Sequence, residues 1–218
     1  MEWDWSFAWA ILPRLMDGAK TTVLATFLGF FLGAVIGLFI ALARRSRQQW
    51  LAKSVGFGAD FIRGTPLLVQ LYILFFVLPS AGIVLSPLTA GIIGLGLHNS
   101  TYIAEVYRAG IESISRGQWE AARACNLSMA QTWRHIILPQ AIPPMIPALS
   151  NYLIAMFKET PLLSAITVYE IMGQALAIAG KTYRYIEPIT MVGAFFLIVS
   201  LGCAYLTRLL ERHTRIIQ

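Results

Sequence analysis

Charge is what this sequence has least of. Of its 218 residues only 13% are Asp, Glu, Lys or Arg, against roughly a quarter in an ordinary soluble domain. In contrast, 57% are hydrophobic and the mean hydropathy is +0.65, so water is not the main solvent of this chain. Cysteine is scarce as well: Cys125 and Cys203 stand far apart, with no CxxC pair and no His at ligand spacing. That excludes a disulfide framework and a zinc site, and the two thiols read as small packing residues. No stretch fits GxxxxGK[ST], so the chain holds no ATP through a phosphate-cradling loop, and no cofactor is expected in it. The amino terminus, Met1-Glu2-Trp3-Asp4-Trp5, lacks the basic region of a cleavable signal, so the first apolar segment is expected to stay in the mature protein. The net charge of +6 and pI near 9.6 do not point to nucleic acid, because the basic residues punctuate apolar runs instead of gathering on one solvated face.

What is present is a series of long apolar runs. Residues 21–43 carry no charge and at 1.5 Å per residue can cross about 30 Å of hydrocarbon. Between Arg63 and Glu105 no residue is charged, and Pro79-Ser80-Ala81-Gly82 and Ser86-Pro87 divide the stretch into two helices. Residues 141–168 form a fourth span interrupted at Lys158-Glu159, and the last runs from 187 or 188 to 206. The expectation is an all-α integral membrane protein of five transmembrane helices, one membrane domain covering 1–218. Arg44, Arg45, Arg47, Lys53, Arg63, Arg108, Arg116, Arg123, Arg134, Arg208, Arg212 and Arg215 fall on one side of these spans, and Arg14, Lys20, Lys181 and Arg184 on the other. Retention of positive charge on the cytoplasmic side places the amino terminus outside and the carboxyl terminus inside, as five crossings require.

The longest polar interruption, 108–139, lies between the third and fourth spans on the cytoplasmic side. Residues 118–125 are rich in Ala and favour helix. Ser128 and Gln131 have capping-box spacing. Met129, Trp133, Ile136 and Ile137 make one apolar face of a short helix that Pro139 is expected to end. Asn126 joins the two helices, being a residue that tolerates the left-handed conformation. On composition alone this hairpin reads equally as an interfacial element lying on headgroups.

The run Glu120-Ala121-Ala122-Arg123-Ala124-Cys125-Asn126-Leu127-Ser128 followed by Ile136-Ile137-Leu138-Pro139-Gln140-Ala141 resembles the EAA loop of ABC importer permeases, with Asn126 where that loop usually has Gly. Arg63-Gly64-Thr65-Pro66-Leu67-Leu68-Val69-Gln70, the stretch from Tyr102 to Gly110, and Lys158-Glu159-Thr160-Pro161-Leu162-Leu163-Ser164 resemble the polar amino acid uptake branch. Met1 to Trp5 and Thr22 to Thr26 are most similar to ectoine and hydroxyectoine permeases. The resemblance implies an inner-membrane subunit that is not itself an enzyme. It pairs with itself or a sister permease, binds two ATPase subunits that hydrolyse the ATP, and receives substrate from an extracytoplasmic solute-binding protein. Glu120, Ala121, Ala122, Asn126 and Pro139 then belong to the loop that couples to the ATPase. For Glu120 the plainer reading is a surface carboxylate paired with Arg116 or Arg123, worth at most about 1 kcal/mol.

Lys158 and Glu159 break an apolar span where a charged side chain costs about 2.5 to 3.5 kcal/mol. With Thr160 they mark either a substrate path, since unwound backbone before Pro161 can line a cavity, or an internal ion pair locking two helices. His98 and Asn99, polar residues of the third span, are read as satisfying neighbouring helices, with a substrate role as the alternative. Gly29, Gly33 and Gly37 form a stripe for close helix packing, Glu105 and Arg108 an i,i+3 ion pair, and Trp119 and Trp133 interface anchors. The rival functions are a self-sufficient channel or ion-coupled carrier, for which no inverted repeat is visible, and a scaffold that only docks other membrane proteins.

Overall fold

The computed structural model describes residues 2–215, with side chains through Leu209. Met1 of the amino-terminal match and the side chains of Arg212 and Arg215 from the charge count lie outside the described residues. Every regular element among the described residues is helical. In order they are α1 (Trp5–Arg44), α2 (Gln49–Arg63), α3 (Leu67–Tyr72), α4 (Pro87–Glu112), α5 (Arg116–Ala124), α6 (Met129–Thr132), α7 (Leu138–Glu159), α8 (Ile171–Thr182) and α9 (Ile186–Arg215). α3 continues through a π turn and a 3-10 turn to Ala81, and a 3-10 turn from Thr160 to Ile166 follows α7.

Five of these elements match the five expected spans: α1, α3 with its extension, α4, α7 and α9. By length and apolarity α1 and the 186–209 part of α9 qualify outright. α4, at 26 residues or about 39 Å, is long enough but less apolar, and its position explains why. It stands in the centre of the bundle with 13 of its residues buried, Asn99, Ser100 and Thr101 among them. A helix that faces other helices instead of lipid can carry polar groups: Asn99 bonds across to α7, and the Ser100 and Thr101 hydroxyls bond carbonyls of α4 itself.

α1 begins at Trp5, sixteen residues before the expected start of the first span. Asp4 caps it, its carboxylate accepting from the N–H groups of Ser6 at 2.9 Å and Phe7 at 3.2 Å. The Ser6 hydroxyl, the Phe7 amide and the nearby Arg184 charge hold that carboxyl below its ordinary pKa. Arg184 donates to Asp4 and pairs with Glu187, while the Asp4 N–H donates to Glu187 at 3.1 Å, tying the start of α1 to the start of α9. A second tie is buried. The Glu170 carboxylate caps α8 by accepting from Met172 and Gly173, and Thr22 of α1 donates to it while accepting from the Ile171 N–H.

In lipid the association of helices depends on close approach, because hydrocarbon is as apolar as the side chains. The glycine stripe supplies it. A Cβ at Gly33 would stand 3.1 Å from the Gly96 carbonyl oxygen, and one at Gly37 would stand 2.8 Å from that of Ser100. α1 and α4 therefore meet backbone to backbone. α2 and α8 are additions to the five-span outline: α2 is bent 99° from the 67–81 segment, and α8 is bent 43° from the 129–166 segment.

Pro139 does not end a helix, contrary to expectation. The chain passes through a π turn at Trp133–Ile137 and continues as α7, with Pro139 in its first turn, where a missing N–H costs no bond.

Gly37→Ala forces a Cβ against fixed backbone, so it is expected to lower stability by about 1–3 kcal/mol. Gly202→Ala, whose Cβ meets nothing within 4 Å, is expected to be neutral. Thermal unfolding of both variants in detergent decides; equal melting would remove the close-packing account.

Candidate functional site

The polar break ends α7. Successive helix residues point about 100° apart, so Lys158 and Glu159 diverge, and no ion pair joins them. Glu159 turns toward α4, where its carboxylate accepts from Asn99 Nδ2 at 2.9 Å. The same amide nitrogen donates to the Leu95 carbonyl at 3.1 Å, which fixes the side chain that holds the carboxylate. His98 is 8% exposed and directly precedes Asn99 on α4. Its Nδ1 has no hydrogen-bond partner. A buried ring nitrogen without a protein partner is one that a water or a polar ligand group can satisfy.

Lys158 is exposed and faces α9 across a groove of about 580 Å³ lined also by Asn151, Phe196 and Ser200. Thr160 is fully buried and its hydroxyl donates to the Phe157 carbonyl at 2.7 Å, so it closes the end of α7. The structure thus brings Glu159, Asn99 and His98 together and leaves Lys158 on an adjoining surface.

Three residues join this group that the sequence reading did not single out. Tyr102 lies 5.5 Å from His98 between ring centroids, Tyr152 stacks on Tyr102 at 5.8 Å, and the Arg63 guanidinium stands 5.5 Å over the Tyr102 ring. Spacing held the signal for two of them. Tyr102 is four residues after His98 and Tyr152 seven before Glu159, so each shares a helix face with its neighbour.

Below this group Glu105 gathers arginines from three helices. Arg44 of α1 donates at 2.5 Å, Arg63 of α2 at 3.3 Å and Arg108 of α4 at 2.8 Å, and Arg108 also reaches Glu112 at 2.7 Å. The expected i,i+3 pair is real, and it is one arm of a clamp that joins the ends of α1, α2 and α4.

The hairpin follows immediately. α5 closes with the Leu127 N–H donating to the Ala122 carbonyl and the Asn126 N–H to that of Arg123, a Schellman closure with Asn126 left-handed at φ 53°. The Ser128–Gln131 capping box is formed from both sides. Ala122 is 1% exposed, whereas Ala121 and Pro139 are exposed. Glu120 is exposed and in no ion pair among the described residues, so the pairing with Arg116 or Arg123 is absent. It lines an open cavity of about 520 Å³ with Arg116, Trp119, Arg123 and Met129. Trp119 and Trp133 pack edge to face at 5.5 Å. They hold the two arms of the hairpin together.

Against known proteins, residues 33–216 match the family model described as the binding-protein-dependent transport system inner membrane component. The chain is 43% identical over 206 residues to the probable amino-acid ABC transporter permease protein y4tG of Sinorhizobium fredii, covering 94% of this chain and 89% of that one. It is 37% identical to the glutamine transport system permease protein GlnP of Escherichia coli over the full length of both. The crystal structure of an amino acid ABC transporter with histidines superposes with a TM-score of 0.91 at 37% identity, covering 98% of this chain and all of that one.

Proposed function

The chain belongs to the family of binding-protein-dependent transport system inner membrane components, as a permease subunit of the amino-acid ABC transporter kind, and from that premise we propose that it passes polar amino acids or amino-acid-like compatible solutes along α4 and α7. The observation that carries this reading is the Glu159 carboxylate, held by Asn99 beside the unpaired His98 nitrogen. A carboxylate at that depth is expensive unless something polar reaches it, and an ammonium or amidinium group of a substrate would. Lys158 faces α9 on a different groove and takes no part in this site. No observation favours a self-sufficient channel or an ion-coupled carrier.

Ectoine and hydroxyectoine are the narrower reading of the substrate. The residues that carry it serve the fold: Asp4 caps α1 and Thr22 is bound to Glu170 and Ile171. Competition of ectoine against glutamine in the uptake assay below separates the two.

The partners in this reading are two ATPase subunits seated on the hairpin, a sister permease or second copy, a solute-binding protein at the opposite face, and the bilayer, with no nucleic acid. ATP is bound and hydrolysed in the separate subunits, and this chain, 1–218, is one membrane domain with its coupling loop at 108–139. The arginine excess on the side of the hairpin supports an amino terminus outside and a carboxyl terminus in the cytoplasm. Single cysteines at Arg45 and Arg116 are expected to be shielded from an impermeant thiol reagent in intact cells, and one at Lys181 to react; the reverse pattern would invert the topology.

Glu120→Lys reverses the free charge on the hairpin and is expected to release the ATPase subunits while membrane insertion persists. Asn126→Gly keeps the left-handed turn and is expected to retain them. Copurification of the ATPase with each variant reads this out, and full retention by Glu120→Lys would dismiss the hairpin as the docking element.

Glu159→Gln keeps the hydrogen bond from Asn99 possible and removes the charge. Uptake in reconstituted vesicles is expected to fall and the preference between cationic and zwitterionic amino acids to change, with melting of the complex unaltered. Unchanged uptake and preference would take Glu159 out of the path, and a parallel loss of folded complex would make it a structural lock.

A further inference from the structure

α2 reaches the candidate site through Arg63 alone, and its surface is strongly two-sided. Its packed side carries Gly56 and Ala59, both buried, and Arg63, which reaches Glu105. Its other side carries Trp50, Phe57 and Phe61, exposed at 69%, 76% and 65%. At 100° per residue these three aromatic positions fall within about 40° of one another, and Lys53 lies about 60° to their flank.

The geometry confines this face to the membrane surface. α1 ends at Arg44 and α3 begins at Leu67. Both α1 and the 67–81 segment are read as spanning, so both ends of α2 are tied to the same end of the bundle by the short connections 45–48 and 64–66. The 99° bend between α2 and the 67–81 segment then lays α2 across the bundle axis, in the plane of the headgroups. Aromatic side chains on one face of such a helix sit at the boundary of headgroup and acyl chain.

The charges around that face divide into two sets. Arg44 and Arg63 are neutralised by Glu105, and Asp60, the one carboxylate in α2, stands 3.7 Å from Arg63. Arg45, Arg47 and Lys53 are exposed and form no ion pair among the described residues. We propose that α2 is an interfacial anchor whose aromatic face enters the bilayer surface and whose three free cations, Arg45, Arg47 and Lys53, bind the phosphates of anionic phospholipids. Each cation strengthens the attraction to an anionic surface, and through Arg63 and Glu105 the bound helix is joined directly to α4. The inference does not depend on the substrate.

The test uses the permease copurified with its ATPase subunits and reconstituted in vesicles of equal phosphatidylglycerol and phosphatidylcholine, then re-extracted in mild detergent. The ratio of the two lipids retained by the complex is measured. The wild type is expected to retain phosphatidylglycerol in excess of the input, an excess that falls with added salt but not with inorganic phosphate at matched ionic strength. R45Q/R47Q/K53Q is expected to lose that excess, by up to about five-fold per cation removed, while K181Q keeps it. K53Q alone gives the same direction with less change if the triple variant assembles poorly. An unchanged ratio in the triple variant overturns the proposal. So does loss of the ATPase subunits or of the permease pair with the lipid ratio unaltered, which would assign the face to a protein partner. Failure of substrate uptake in every sample bears on the transport reading alone.

Discussion

Each charge carried into a medium without water has to be met by another polar group, and this constraint organises the bundle. Glu105 is met three times, by Arg44, Arg63 and Arg108. Glu159 is met by Asn99. Glu170 is met by two backbone N–H groups and Thr22. The three carboxylates stand at different points of the bundle, and each joins elements distant in sequence. Removing one partner of such a group leaves the other stranded, a larger effect than the net worth of the contact itself. The polar contacts therefore decide which helices are neighbours, even though apolar side chains fill most of the volume.

Close packing of α1 on α4 is the second half of the same arrangement. The Ser100 and Thr101 hydroxyls are satisfied within α4 itself, by the Leu97 and His98 carbonyls, so they can lie buried against a neighbouring helix, and Gly33 and Gly37 permit the close approach of α1. On the opposite face of the contact Gly96 receives Leu32, whose side chain would lie 2.9 Å from an added Cβ. Knob and hole alternate along one interface. α4 is thereby held on one side by α1 and left free to offer Asn99 and His98 to α7 on the other.

Local features were the legible ones. The apolar runs marked the spans, Ser128 and Gln131 marked the start of α6, Asn126 marked the left-handed turn, and the glycine stripe marked a packing face. Each is encoded within one or two helical turns. What the sequence did not disclose is pairing over distance: Asn99 and Glu159 are 60 residues apart, and Arg44 and Glu105 are 61 apart. That Lys158 and Glu159 diverge follows from their adjacency in a helix, but nothing in their neighbourhood told which helices they face. α2 and α8 escaped notice for another reason. Lys53, Asp60 and Arg63 interrupt the apolar pattern of the first, and the second is 12 residues long, too short to stand out as a span. Pro139 misled because its effect depends on the turn before it. After an ordinary helix it would break the ladder, but after a π turn it opens a new one.

The chain of contacts running from the membrane surface to the polar break has a mechanical implication. Arg63 closes α2, pairs with Glu105 and covers the Tyr102 ring; Tyr102 touches His98 on its own helix and Tyr152 on α7; and Asn99, next to His98, meets Glu159. α4 is the common member of every step, and it leads within four residues of Glu112 into the α5 arm of the hairpin. A displacement of the hairpin along the axis of α4 would bear on the Glu105 clamp before it reached Glu159, since the clamp lies between them. Because Arg63 holds both the clamp and the aromatic step, α2 cannot keep its contacts with α4 while the two ends of α4 move independently. The contacts therefore tie the two ends of α4 to one another through α2, and they end at the polar break, where α7 does not unwind before Pro161 but tightens into a 3-10 turn.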